Sequence, residues 1–147
     1  MAHIARRTII AYLACLSLSM LVATCPAAPL LVELQSTKGL PAGKVADGTV
    51  IAHGTLTHNG DHLGFQLWPD PENGGGNGNI YRFRGINSRY PLRVTVRTVG
   101  WHAGDQVGKL INLTSQASIG YDIVTAGDQV LPSDIWPIQL QAGVIQP

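Results

Sequence analysis

From Leu30 onward apolar and polar positions alternate with a period of two rather than three and a half. Leu30, Val32 and Leu34 alternate with Leu31, Glu33 and Gln35, and Val50, Ala52 and Leu56 share one parity of the next stretch. Leu63, Phe65 and Leu67 repeat the pattern, then Tyr81 and Phe83 against Arg82 and Arg84. Leu92, Val94 and Val96 against Arg93, Thr95 and Arg97 form the cleanest half-buried strand, followed by Ile119, Tyr121 and Ile123. The last run sets Trp136, Ile138 and Leu140 against Pro137, Gln139 and Gln141. Turn chemistry separates the runs: Lys38-Gly39-Leu40-Pro41, Asn59-Gly60-Asp61, Pro69 to Asn79, Asn87-Ser88, Gly100 to Gly108 and Gly127-Asp128. The pattern predicts seven short strands and no helix of useful length. That suits a two-sheet antiparallel sandwich of immunoglobulin-like type, with a small barrel as the competing closure. Pro137 cannot donate to a ladder, so the last strand is expected at an edge or with a bulge. The run Asn73 to Asn79, rich in glycine, reads as a mobile hairpin loop.

Ahead of this region stand Arg6-Arg7, an apolar stretch from Ile9 to Ala23, and Thr24-Cys25-Pro26-Ala27-Ala28. That is the order of a secretory signal peptide, with a cut after Ala27. The apolar stretch is shorter than the roughly 20 residues of a spanning helix, so no membrane insertion is expected. A lipid-modified Cys25 is the lesser alternative because Thr24 precedes it. Residues 1–27 are thus expected as signal and 28–147 as one exported domain. The whole chain has 10 basic and 9 acidic residues. Removing Arg6 and Arg7 leaves 10 − 2 = 8 basic residues against 9 acidic, so the net charge moves from +1 to −1. Nothing in that balance attracts nucleic acid. Both cysteines, Cys15 and Cys25, fall in the signal segment, which leaves the domain without a disulfide and dependent on core burial or a partner.

Catalytic chemistry finds no support. The Gly74 to Asn79 run lacks the lysine and following helix of a phosphate loop. His53, His58 and His62, with Asp61, cluster in sequence, but a strand turns His53 away from His58, and the expected state is exposed turn histidines rather than zinc ligands. The carboxylates Asp61, Asp70, Glu72, Asp105, Asp122, Asp128 and Asp134 lie mostly in loops and cannot be paired as a hydrolase requires. The serines lack a nucleophile elbow. No enzyme activity, metal or cofactor is therefore expected. Trp68, on the polar parity of its strand, and Trp101, in a glycine-bounded turn, are candidate receptor contacts. The plainer alternative is that each covers an open end of the sandwich.

Three stretches carry a resemblance: Asp47-Gly48-Thr49-Val50-Ile51-Ala52-His53-Gly54, then Gly64-Phe65-Gln66-Leu67-Trp68, then Leu92 to Trp101. In this order and spacing the chain resembles the AfaD-type invasin family, the tip subunits of Afa/Dr fimbriae and of the related Saf pili. Asp134-Ile135-Trp136-Pro137-Ile138-Gln139-Leu140 resembles the closing strand of these pilins. The resemblance implies an incomplete immunoglobulin-like sandwich lacking its last strand. A periplasmic chaperone supplies that strand first, and an adjacent fimbrial subunit replaces it after passage through an outer-membrane usher. Relatives place cysteines where this chain has His58 and Val144, so the family disulfide is absent as a pair.

The resemblance makes the chain a fimbrial adhesin or invasin, exported through the periplasm to a fimbrial tip or the cell surface and binding a host-cell receptor. On that reading Leu30, Val32 and Leu34 on one side, and Trp136, Ile138 and Leu140 on the other, flank an apolar groove for the donor strand. The cut after Ala27 leaves only Ala28 and Pro29 before the first strand, so a subunit that accepts a strand and gives none is expected. The alternatives are a polymerising structural pilin and a small secreted β-sandwich enzyme or inhibitor.

Overall fold

The computed structural model describes residues 28–37, 40, 42–70, 74–77, 79–106 and 108–147; the expected signal segment, 1–27, lies outside them. Each alternating run yields a strand, and shorter ones fill the intervals. In chain order these are β1 (Leu31–Ser36), β2 (Gly43–Val45), β3 (Val50–Thr57), β4 (Gly64–Pro69), β5 (Gly74–Asn77), β6 (Ile80–Arg84), β7 (Pro91–Val96), β8 (His102–Ala103), β9 (Leu110–Leu113), β10 (Ser118–Thr125), β11 (Gln129–Leu131) and β12 (Leu140–Ile145). Among the described residues no helix is long and apolar enough to cross a membrane.

The strands form a six-stranded sheet ordered β1-β3-β10-β7-β6-β5 and a four-stranded sheet ordered β12-β4-β9-β8, with β11 and β2 as a separate pair. Every pairing is antiparallel. The core lies between the two larger sheets, because the period of two sends alternate side chains to one face. Leu56, Phe83, Leu92, Val94 and Ile123 from the larger sheet meet Phe65, Leu67 and Leu110 from the smaller, all 0–1% exposed. This is the expected all-β, immunoglobulin-like sandwich.

Three local expectations change. The Gly74 to Asn77 part of the expected loop is strand β5, paired with β6 from Gly74↔Phe83 to Asn77↔Ile80. Main-chain pairing needs no side chain, and an ordered neighbour recruits the segment despite glycine's low strand propensity. In β3 the register slips opposite Ile123 and Val124, leaving Ile51 as the extra residue between Val50 and Ala52. A one-residue bulge reverses parity, so Ile51 is buried and Val50 is 37% exposed. The last run also shifts: β12 begins only at Leu140, and residues 134–139 lead into it outside the strand. Pro137 therefore precedes the strand, where its missing N–H leaves no gap in the ladder.

Candidate functional site

Among the described residues β1 pairs only with β3, and β12 only with β4, so each ends its sheet. The Thr37 amide donates to the Ile51 carbonyl at 2.9 Å, which fixes the odd-numbered residues of β1 as its hydrogen-bonded positions. The main-chain groups of Val32, Leu34 and Ser36 then face away from β3. On β12 the Asp70 amide donating to the Gln139 carbonyl at 3.0 Å sets the same parity, and turns the main chain of Leu140, Ala142 and Val144 outward. The two edges run in opposite directions, so a strand laid between them would be parallel to one and antiparallel to the other.

The side chains along both edges are apolar and incompletely covered. Leu30 and Leu34 beside β1, and Trp136, Ile138, Leu140, Ala142 and Val144 along the other wall, all pack half-buried against the core. Val32, on the same parity as Leu30 and Leu34, is 46% exposed, whereas Leu56, Phe65 and Leu67 deeper in the sandwich are 0% exposed. The core is closed where strands cover it and open along this line. Five of the six expected groove residues thus pack against the core, and Val32 is the more exposed sixth. Trp136 and Ile138 reach the wall from the lead-in to β12 rather than from the strand itself. Ala142 and Val144 extend the wall further than expected.

At one end the slot widens into a cavity of about 210 Å³ between Leu40, Ile51, Leu92, Ile135, Trp136 and Ile138. Its outer wall is held by Asp134. That carboxylate accepts from the Ser88 hydroxyl at 2.6 Å, the Ser88 amide at 2.7 Å, the Asn87 amide and side-chain amide each at 3.1 Å, and the Ile135 amide at 2.7 Å. The Trp136 indole N–H donates to the Tyr90 carbonyl at 2.8 Å, and the Ile86 amide to the Ile135 carbonyl at 3.0 Å. In the sequence Asp134 is only one loop carboxylate among several; Ser88 and Asn87 lie 46 and 47 residues away.

The Ser88 hydroxyl first, then the Ser88, Ile135 and Asn87 amides, hold the Asp134 carboxyl well below its ordinary value of 3.8. A lowered native value stabilises the fold above the unfolded value, and the contribution is lost as pH falls through the native one. The stability gap between the wild type and Asp134→Asn is therefore expected to be constant from neutrality to about pH 5, and to narrow below it. Denaturant midpoints measured across that range check this. A gap unchanged at the acid end would show that the charge contributes nothing.

The candidate receptor tryptophans differ in placement. Trp68 is half-buried on the outer face of β4, its indole N–H donating to Gln141 Oε1 at 2.8 Å and Lys109 Nζ lying 4.7 Å from its ring centroid. Trp101 turns inward, 6.1 Å from Tyr121 in an edge-on contact, and donates to the Gly120 carbonyl at 3.2 Å. It packs against the core as a cover would.

Two histidines depart from expectation. His53 is exposed and bonded to Asp122 at 2.7 Å, but His58 and His62 are buried rather than exposed in a turn. Their rings meet edge-on at 5.4 Å, and His62 lies 4.8 Å from Phe65. Buried imidazoles need partners, and His62 has the Gly60 and Gln116 carbonyls at 2.7 and 2.9 Å. Phe65 in turn pairs with Val144, so His58, His62 and Val144 gather around the end of the slot opposite the cavity. Among the described residues no group of three or more histidine, cysteine, aspartate or glutamate side chains is placed to hold a metal ion.

A comparison with curated proteins finds no match. Among solved structures, the Salmonella SafD adhesin is 27% identical with a TM-score of 0.74, covering 82% of this chain and 90% of its own. HdaB, the minor tip subunit of the Escherichia coli Hda pilus, is 17% identical with a TM-score of 0.71, over 82% of this chain and 85% of its own. Self-complemented MyfA, the major subunit of Yersinia enterocolitica Myf fimbriae, is 13% identical with a TM-score of 0.63, over 78% and 85%. The family model of the enterobacterial AfaD invasin protein matches residues 41–142, from ahead of β2 into β12. With that match over more than half its length, on a sandwich shared with fimbrial subunits, the chain belongs to the AfaD invasin family, a family of fimbrial adhesin subunits of the chaperone–usher pathway.

Proposed function

We propose that residues 28–147, released from a signal peptide at 1–27, form a fimbrial tip adhesin that receives its missing strand in the slot between β1 and β12 and binds a host-cell receptor. One observation carries the reading. Two sheet edges present outward main-chain groups on either side of a row of half-covered apolar side chains, from Leu30, Val32 and Leu34 across to Leu140, Ala142 and Val144. Open apolar edges invite aggregation unless something pairs with them. A strand with alternating apolar residues would satisfy both edges at once, first from a periplasmic chaperone and then from the adjacent subunit after passage through the usher.

Tip rather than shaft is favoured by the use of β1. A polymerising subunit needs a free strand to give its neighbour. Here the alternating run Leu31–Ser36 is committed to the fold, paired from Leu31↔Thr57 to Ser36↔Ala52. The sandwich itself is shared by a tip subunit and a major subunit, so the tip reading rests on this use of the run rather than on the fold. The outward indole of Trp68 is the candidate receptor contact; the inward indole of Trp101 is better suited to closing the sandwich.

Secretion of the chain with its chaperone, N-terminal sequencing of the product, and electron microscopy of the released subunit form the test. A one-to-one chaperone complex, a start at Ala28 and no fibres are expected. The strand-complemented subunit should bind host cells, and Trp68→Ala should weaken that binding without loss of chaperone capture. Homopolymeric fibres would replace the tip reading with the structural pilin. A stable monomer that neither chaperone nor donor strand engages would remove the slot.

A further inference from the structure

Two tyrosines lie fully inside the sandwich. Tyr81 donates its hydroxyl to the Leu67 carbonyl at 3.3 Å. Tyr121, 2% exposed, is the one whose buried hydroxyl has no hydrogen-bond partner among the described residues. A buried hydroxyl without an acceptor is costly, and native interiors rarely leave one. Its position tells what could satisfy it. Tyr121 stands on β10 directly opposite Gly54 of β3, and Gly54 is opposite Leu34 of β1. The ring lies across Gly54 so closely that the hydroxyl would be 2.4 Å from a Cβ there. That sets the hydroxyl over β3, one strand in from the open edge and behind the Leu34 wall of the slot. Burial raises the phenol above its ordinary value, so it stays a neutral donor in need of an acceptor.

Resting on the strand-accepting slot proposed above, we propose that Tyr121 makes the slot selective for a strand with a hydrogen-bond-accepting side chain at the inward position beside Leu34. The other inward positions take apolar groups, as their apolar walls require. At this one, a side-chain carbonyl or hydroxyl reaching past Leu34 accepts from the Tyr121 O–H, and both groups are satisfied in the sealed core. Specificity then comes from an otherwise orphaned polar atom in the acceptor, which penalises an all-apolar strand at that register.

The test uses synthetic peptides with leucine at every inward position and lysine at the outward ones, and a set in which each leucine in turn becomes asparagine, close to it in shape. Binding to the mature chain is read by fluorescence titration. Asparagine should weaken binding at every position but one, and there bind about tenfold more tightly than at its neighbours, the worth of one buried hydrogen bond. With Tyr121→Phe, which keeps the ring, the exception should vanish while the all-leucine peptide binds at least as well. Uniform loss at all positions in the wild type, or an exception that survives in Tyr121→Phe, overturns the assignment and leaves the slot intact. Failure of the all-leucine peptide to bind at all overturns the slot and this inference with it.

Discussion

Replacing Leu140 by aspartate is expected to abolish capture of an inserted strand. Leu140 opens β12, with its side chain half-buried against the core and its main chain turned outward on the slot side. An incoming strand would seal that side chain from water. Leucine gains about 1.5–3 kcal/mol from full burial, whereas a carboxylate sealed among apolar groups costs several kcal/mol. Since each 1.4 kcal/mol is tenfold in affinity, the loss should be on the order of a thousandfold or more. Ile138→Asp should act in the same direction from the cavity wall. Val130→Asp serves as a control, because Val130 is 62% exposed on β11, away from both edges. Co-purification with the chaperone reads the outcome, with circular dichroism to check that each variant keeps its sheet. Normal capture and assembly by both slot variants would count decisively against the slot.

The apolar faces proposed to wall that slot are legible because alternation is a local signal. Leu30, Val32 and Leu34 read as one face without knowledge of their partners, and Leu140 keeps the parity of its run even though its strand starts later than the alternation does. What stayed hidden depends on register between distant segments. Ile51 faces inward because of a bulge opposite Ile123, and no pattern within β3 alone distinguishes it from Val50. β2, β8 and β11 are two or three residues long, too short to show a period. The glycine run was read as a loop because composition reports propensity, while its strand state comes from pairing with β6. The sequence places His58 and His62 in a turn, which is usually exposed, yet the carbonyls that satisfy His62 come from Gly60 and from Gln116, 54 residues on. Asp134 and Tyr121 belong to the same class: one gathers donors from the β6–β7 turn, the other lies across a glycine one strand in from the edge.

Gly54→Ala is expected to destabilise the fold more than any other single added methyl group along β3. Its Cβ would lie 2.0 Å from Cζ and 2.5 Å from Cε1 of Tyr121, distances no real contact tolerates. The ring has little room to retreat, because Trp101 meets it edge-on at 6.1 Å and the core is closed around it at 2% exposure. The backbone at Gly54 is ordinary extended strand, so the penalty comes from crowding, about 1–3 kcal/mol or more. A double-mutant cycle separates this from any loss of intrinsic glycine flexibility. In a Tyr121→Leu background the shorter side chain no longer crosses Gly54, so the Gly54→Ala penalty should shrink to a few tenths of a kcal/mol, a coupling far outside the error of additive sites. Tyr121→Leu alone should also cost stability, since it leaves part of the ring's volume empty. Denaturant unfolding of the four proteins measures the cycle. Equal Gly54→Ala penalties in both backgrounds would mean that the ring does not lie across β3, and would also remove the geometric ground for placing the Tyr121 hydroxyl behind the slot wall.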